Sequence, residues 1–388
     1  MFMRIAIFTN TYLPTQNGVA ISTANLREGL VRFGHEPFVF APLVIGIELK
    51  DEKNVFRYPA FNIRQIANYP LALPLSGEIS KVLKRTKFDI VHTEHPWWVG
   101  EWGLNYAEDT DTPTVTTVHT QYEIYAKLIP LPQKALISVL KNKFAKYVGG
   151  VDLITTPGEG SKQRLLKEGV EAPIEVVSNA TDLEDYWSAD RSKVRNELKL
   201  KDSDILIGYV GRLSEEKNVM TLLAAAEIIL KSKSNVKIIL IGDGPDKEEL
   251  EKRASEISKD KIIFTGNIPH EEIPLYDAAL DLFLSASKSE VQPMTFAEAM
   301  ATKTPLVLFD VAGCNDMVEN KENGLLVDES AGAKGLAEVV LKLLNNKDEL
   351  VEMGKRAQKW AERYDLLSAT KSMIAAYKKA IELHQNKF

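Results

Sequence analysis

Residues 205–218 read Ile205-Leu206-Ile207-Gly208-Tyr209-Val210-Gly211-Arg212-Leu213-Ser214-Glu215-Glu216-Lys217-Asn218, and their pattern decides the fold class. The first six are almost wholly apolar, as in a strand covered on both faces of a parallel sheet. A glycine turn follows, and then charged residues open a helix. Strand, glycine turn and helix together make a βα unit, and the chain repeats it in both directions. Toward the C-terminus the runs 236–241, 262–265, 280–284, 305–309 and 324–327 read as further strands. Toward the N-terminus the runs 4–8, 37–41, 88–92, 114–118, 152–155 and 174–177 do the same. Helical patterns separate them throughout, which predicts an α/β fold built as two doubly wound halves in tandem. The polar, broken stretch 178–201 reads as the interdomain connection. The last 40 or so residues read as two helices with a break near Tyr364-Asp365.

Composition bounds the function. A chain of 388 residues corresponds to roughly two or three domains. Its net charge of −6 argues against wholesale nucleic-acid binding. A single cysteine, Cys314, excludes a disulfide framework and any cysteine-rich metal site. No apolar run reaches the length of about 18 residues that spans a bilayer. The start, Met1-Phe2-Met3-Arg4-Ile5, enters a strand pattern with no signal peptide. These features predict a reduced, cytoplasmic protein.

Charge is clustered in one place. Lys127, Lys134, Lys141, Lys143 and Lys146 fall in a stretch of 20 residues that contains no acid. On a helical wheel Leu136, Leu140, Phe144 and Tyr147 share a stripe, with Lys134, Lys141 and Lys146 opposite. Such a basic amphipathic helix can lie on an anionic membrane, each lysine contributing about 1 kcal/mol near the surface. The same pattern also describes a helix packed on its own domain with a solvated basic face.

Three constellations carry chemistry. The first strand ends at Phe8 and reaches Asn17-Gly18-Val19 before a helix begins. A glycine there lets a ligand approach the backbone, although such turns often need glycine for geometry alone. Arg212 and Lys217 flank the turn after strand 205–210. At the carboxyl edge of a parallel sheet two such cations can clamp a diphosphate and neutralise a leaving group without metal. Glu290 follows the strand ending at 284, and Glu298 stands near the start of the next helix. Both carboxylates are expected at one sheet edge, where ionised carboxylates accept hydrogen bonds from sugar and ribose hydroxyls.

Taken in order, Gly211-Arg212-Leu213, Glu216-Lys217-Asn218, Gly242-Asp243-Gly244-Pro245, Glu290, Glu298 and Asn323-Gly324-Leu325-Leu326-Val327 resemble the retaining glycosyltransferases of family four, the glycosyl transferases group 1. The resemblance covers nearly the whole chain. It implies the GT-B architecture, two facing Rossmann-like domains with a deep interdomain cleft. Residues 1–178 plus 367–388 would form the acceptor-binding domain, with the final helix crossing back, and 179–366 the sugar-nucleotide-binding domain. It also implies a front-face transfer in which the departing phosphate helps to deprotonate the acceptor and the anomeric configuration is kept. Arg212 and Lys217 would bind the donor diphosphate, Glu290 the donor sugar and Glu298 the ribose, with Gly18 near the sugar-phosphate. Gly242, Asp243, Met294 and Thr295 complete the implied donor set. His119, in Thr117-Val118-His119-Thr120, matches a histidine beside the donor sugar, so His119, Glu290, Arg212 and Lys217 are the expected catalytic group. No metal and no cofactor are implied, the nucleotide-sugar being a substrate. The chain departs from the family where Pro293 and Lys303 stand in place of glycines and where a glycine pair reads Ala312-Gly313. Pro293 removes one amide donor expected near phosphate.

The run His119-Thr120-Gln121-Tyr122-Glu123-Ile124-Tyr125 resembles the His-Thr-x-Tyr-Glu-x-Tyr stretch of diacylglycerol glucosyltransferases, and the lysine-rich helix follows it directly. This implies a lipid acceptor, with Tyr122, Tyr125, Lys134, Lys141 and Lys146 on the acceptor and membrane side. The enzyme would then be peripheral on the cytoplasmic membrane face. His92, Glu94, His95, Trp97, Trp98 and Trp102 form a polar-aromatic cluster that reads equally as acceptor mouth or as domain core. Alternatives remain: GDP-mannose with phosphatidylinositol, a soluble sugar acceptor, or a non-catalytic sugar-nucleotide binder. A dinucleotide oxidoreductase is disfavoured because neither half opens with Gly-x-Gly-x-x-Gly.

Overall fold

The computed structural model describes residues 2–15, 17–44, 52–62, 70–72, 77–119, 133–288 and 290–387. The chain forms two compact units, Met1–Ala180 with Leu366–Phe388, and Thr181–Asp365.

In the first unit β1 (Arg4–Phe8), β2 (Glu36–Pro42), β3 (Val55–Tyr58), β6 (Ile90–Thr93), β7 (Thr114–Thr117), β8 (Leu153–Thr156) and β9 (Ile174–Val176) form one parallel sheet. Its spatial order is β3-β2-β1-β6-β7-β8-β9. The order reverses between β1 and β6, and at such a switch point the loops on either side diverge and leave a crevice. A small antiparallel pair, β4 (Ala60–Asn62) with β5 (Pro70–Ala72), lies outside this sheet. Helix α1 (Gly18–Arg32) follows β1, α2 (Gly77–Arg85) precedes β6, and α3 (Val99–Thr110) follows β6. Helices α4 (Gln133–Val148) and α5 (Glu159–Lys167) lie between β7 and β9.

The second unit repeats the plan. Strands β10 (Ile205–Val210), β11 (Val236–Ile241), β12 (Ile262–Gly266), β13 (Leu282–Leu284), β14 (Leu306–Phe309) and β15 (Gly324–Val327) pair in parallel in the order β12-β11-β10-β13-β14-β15. Here the switch point lies between β10 and β13. Strand β10 is buried at all six positions, because it is central in the sheet and covered on both faces. Helices α6 (Arg191–Glu197), α7 (Val219–Ser232), α8 (Lys247–Ile257), α9 (Ile273–Ala279), α10 (Met294–Ala301), α11 (Gly332–Leu344) and α12 (Lys347–Ala361) belong to this unit. The last helix, α13 (Leu366–Gln385), belongs to the first.

Several expectations are corrected. The stretch read as the interdomain connection, 178–201, does hold the boundary between the units, at Ala180/Thr181, but most of it is folded into the second unit rather than being a linker. Leu183, Tyr186 and Val194 are buried in a core cluster of the second unit, and α6 lies within the stretch. Three apolar anchors spaced among polar residues are enough to dock an irregular segment, and averaged polarity hides them. Strands β3, β4 and β5 are absent from the sequence reading. They are short, and β3 is an edge strand with only Tyr58 buried, so the apolar pattern that marks a central strand is missing. The break near Tyr364-Asp365 separates α12 from α13.

Candidate active site

At the switch point of the second unit the loop after β10 meets the loop after β13. The side chain of Asn218 donates to Ala286 O at 3.0 Å, and the backbone amide of Lys288 donates to Glu216 O at 3.4 Å. These bonds hold Lys217 against Glu290, and its Nζ donates to both carboxylate oxygens at 2.7 and 2.8 Å. Glu290 is 9% exposed and Lys217 24%, so the pair is only partly solvated and its attraction is less screened than at a surface. Two residues read from sequence as separate donor contacts are therefore each other's partners. Arg212 is exposed and forms no ion pair among the described residues, although it lies close enough to Glu216 to help lower that carboxyl's pKa.

The neighbouring loops explain which glycines the chain keeps. Gly242 has φ +132, and a Cβ there would lie 2.1 Å from Gly211 O. The Gly242-Asp243-Gly244 turn thus packs backbone to backbone on the Arg212 turn, with Leu213 N donating to Asp243 O at 2.9 Å. Asp243 is engaged locally, accepting from Lys247 Nζ at 2.9 Å and Gly244 N at 2.7 Å. Gly313 has φ +80, and a Cβ there would fall 2.3 Å from Glu290 O. Of the pair Ala312-Gly313, the glycine is retained where it supports the Glu290 loop.

Glu298, expected with Glu290 at one sheet edge, is enclosed rather than solvated. It is 6% exposed, the fifth residue of α10, with all of 296–301 buried. Burial pushes its carboxyl up to about 7, while the Tyr186 phenol beside it works in the opposite direction. Asp277 of α9 is wholly buried, and burial together with the Glu298 charge holds its carboxyl well above the usual carboxylate range. Sequence reading missed Asp277, because a single acid in an amphipathic helix gives no signal. Pro293 occupies the N-cap of α10 and Met294 and Thr295 its first turn, half-buried.

In the first unit the switch point holds a buried polar cluster. The β1 loop is tied to the β6 loop by Glu94 N donating to Phe8 O at 2.9 Å and Asn10 N donating to His95 Nδ1 at 3.1 Å. That bond makes His95 Nδ1 an acceptor, and burial lowers the pKa of His95 to about 3, so the ring is neutral. His92 is wholly buried between Tyr377 Oη (2.8 Å) and Thr117 Oγ1 (2.7 Å), its pKa lowered by burial. Both histidines are thus satisfied within the domain, in line with the core reading. Glu94 is different. Burial acts to raise its pKa, but His92 and the hydrogen bond from His119 prevail and bring it down to about 2. Its Oε2 lies 2.6 Å from His119 Nε2. His119 follows β7, next but one to β1 in the sheet. Sequence reading named both residues but missed the pairing, which joins two strand ends 25 residues apart in the chain.

Gly18 is the first residue of α1. A Cβ there would meet nothing within 4 Å, and its φ lies outside the left-handed region. Geometry therefore does not require glycine, and the ligand-approach reading keeps its force. Asn17 caps the helix, accepting from Ala20 N at 2.9 Å and donating to Thr11 Oγ1 at 2.8 Å.

On the expected acceptor side, Tyr122 and Tyr125 lie outside the described residues, as does the side chain of Lys134. Lys141 and Lys146 are exposed on α4, and Lys143 pairs with Glu101 at 3.7 Å. Most of the apolar stripe of α4 is already used: Phe144 and Tyr147 are buried and Leu140 packs against them. Trp97 is buried in the same cluster, whereas Trp98 is 45% exposed and Trp102 packs edge-on against Tyr58 at 5.8 Å. No described helix is long and apolar enough to cross a membrane. Among the described residues no group of three or more His, Cys, Asp or Glu could hold a metal ion.

Residues 190–360 match the family model for glycosyl transferases group 1, and residues 16–185 that for glycosyltransferase family 4. Over 88% of its length the chain is 29% identical to alpha-monoglucosyldiacylglycerol synthase of Streptococcus pneumoniae, covering 78% of that protein. It is 26% identical to the protein of the same name from Acholeplasma laidlawii over 99% of both chains. It is 25% identical to the GDP-mannose-dependent alpha-mannosyltransferase of Mycobacterium tuberculosis over 92% of both. Among solved structures, sucrose-phosphate synthase from Thermosynechococcus elongatus superposes with a TM-score of 0.75 at 18% identity, over 97% of this chain and 98% of that one. Anabaena Alr3699/HepE superposes with a TM-score of 0.72 at 18% identity, over 96% and 98%.

Proposed function

The chain belongs to glycosyltransferase family four, whose members have the GT-B fold, and on that premise we propose that it transfers glucose from UDP-glucose to 1,2-diacylglycerol with retention of configuration. The observation that carries the reading is the Lys217–Glu290 pair at the switch point beside the exposed Arg212. A bound diphosphate offers Lys217 a stronger partner than Glu290. Arg212 takes a second phosphate oxygen, and the freed Glu290 accepts hydrogen bonds from sugar hydroxyls. The two cations then stabilise the charge that develops as the bond from C1 to the phosphate oxygen breaks, without a metal. The acceptor hydroxyl forms the new bond to C1 and passes its proton to the departing phosphate. Glu298, once ionised, reads the ribose. Gly18, Gly242, Asp243, Met294 and Thr295 line the donor, and His119 meets its sugar.

The names of the two synthase relatives support a diacylglycerol acceptor. The exposed lysines of α4 support docking at the anionic cytoplasmic face of a membrane. Because most of the apolar stripe of that helix is packed inside its own unit, docking there is electrostatic and salt-sensitive. The test offers radiolabelled UDP-glucose, UDP-galactose or GDP-mannose with diacylglycerol in anionic liposomes. A lipid labelled from UDP-glucose is expected. Slow donor hydrolysis with no labelled lipid would remove the lipid acceptor and turn attention to soluble sugars. Label from GDP-mannose alone would favour mannosyl transfer, the reading that the mannosyltransferase relative supports.

A further inference from the structure

Glu94 is a buried carboxylate at the carboxyl edge of the first sheet, outside the donor set. It is 3% exposed, and a buried charge is weak evidence for stability because its desolvation offsets most of what pairing returns. Its surroundings are organised around one ring. Oε2 lies 2.6 Å from His119 Nε2, while Oε1 is 3.8 Å from His92 Nε2. His92 is itself fixed by Tyr377 and Thr117, and Thr117 Oγ1 lies 2.7 Å from Thr155 Oγ1. The backbone of Glu94 is pinned to Phe8 O. The carboxylate therefore sits in a frame reaching from α13 through β6 and β7 to β8, and cannot follow the His119 ring if the ring turns. The two residues border a cavity of about 10 Å³, so His119 lies at the edge of the packed core.

An ionised carboxylate only accepts hydrogen bonds, so the proton on this side of the ring belongs to His119 Nε2, and Nδ1 is left for a ligand. We propose that Glu94 is the positioning residue of the transfer site, its carboxylate holding the His119 ring in one tautomer and one orientation toward the donor sugar. The proposal rests on the reading that His119 meets that sugar.

The test uses the full chain. In the wild-type protein the ¹⁵N shifts of the neutral His119 ring should show protonated Nε2 and unprotonated Nδ1. A neutral ring protonated at Nδ1 would overturn the proposal without any variant. In Glu94→Gln, whose amide can accept or donate, those shifts should move toward a mixture of tautomers. Its kcat for transfer or hydrolysis of UDP-glucose should fall on the order of 10²-fold, with KM nearly unchanged. Glu94→Asp should recover part of the loss. Wild-type kcat in Glu94→Gln, or a loss with unaltered His119 shifts, would sink the proposal. Full activity in His119→Ala would instead remove His119 from the sugar, which separates the failure of that premise from the failure of the positioning role.

Discussion

Lys303 follows the C-cap of α10 with φ +66, the left-handed conformation that a helix terminus commonly gives to glycine. A lysine can stand there because its side chain is exposed, but its Cβ is strained. Lys303→Gly should raise stability by about 0.5–1 kcal/mol in urea unfolding, and a loss would show that side-chain contacts outweigh the strain. Glu298 makes a pH prediction. Its folded pKa of about 7 lies above its ordinary 4.5, so the fold binds this proton more tightly than the unfolded chain does. The resulting stability is fully present below 4.5 and is lost as pH rises toward 7. Glu298→Gln should flatten that part of the melting profile, and an unchanged slope would assign it to other groups. Lys217→Ala strands the Glu290 carboxylate and removes a diphosphate partner. Transfer should fall on the order of 10²-fold in kcat/KM, and near-normal kinetics would take Lys217 out of the site. These residues were legible as charged positions beside turns. Their pairings were not, because Lys217 and Glu290 lie 73 residues apart and meet only when β10 and β13 become neighbours.

At the scale of elements, both units place their charged groups at the same topological position. The loops after β1 and β6 hold the Glu94 cluster, and those after β10 and β13 hold Lys217 and Glu290. The strands were readable because central parallel strands are apolar on both faces. The edge strand β3 and the docked stretch 178–201 were not, since their few buried anchors are diluted by polar neighbours. Helix α4 was read correctly as amphipathic, yet whether its apolar stripe was free or covered depended on Phe144 and Tyr147 finding a core. With that face covered, replacing Lys134, Lys141 and Lys146 by glutamate should abolish sedimentation with anionic liposomes and leave UDP-glucose affinity unaltered. Wild-type binding should also weaken steeply with salt. Unaltered sedimentation of the triple variant would make that face an ordinary solvated surface.

For the whole molecule, the proposed chemistry lets Arg212 and Lys217 do what a divalent ion does elsewhere, so chelator should leave transfer intact. A strict divalent requirement would overturn that mechanism. The amino-acid sequence by itself determined the α/β class, the tandem repetition of the doubly wound plan and the order of the family's motifs. These are local properties, written in apolar runs and in turns that need particular residue types. Only the tertiary structure decided that Glu298 is buried beside Asp277, that Lys217 and Glu290 neutralise each other, and that His119 is held by Glu94. Each depends on which distant strand ends the sheet order brings together and on how far water is excluded there. Burial and long-range proximity set those charges, and neither is written at a single position of the chain.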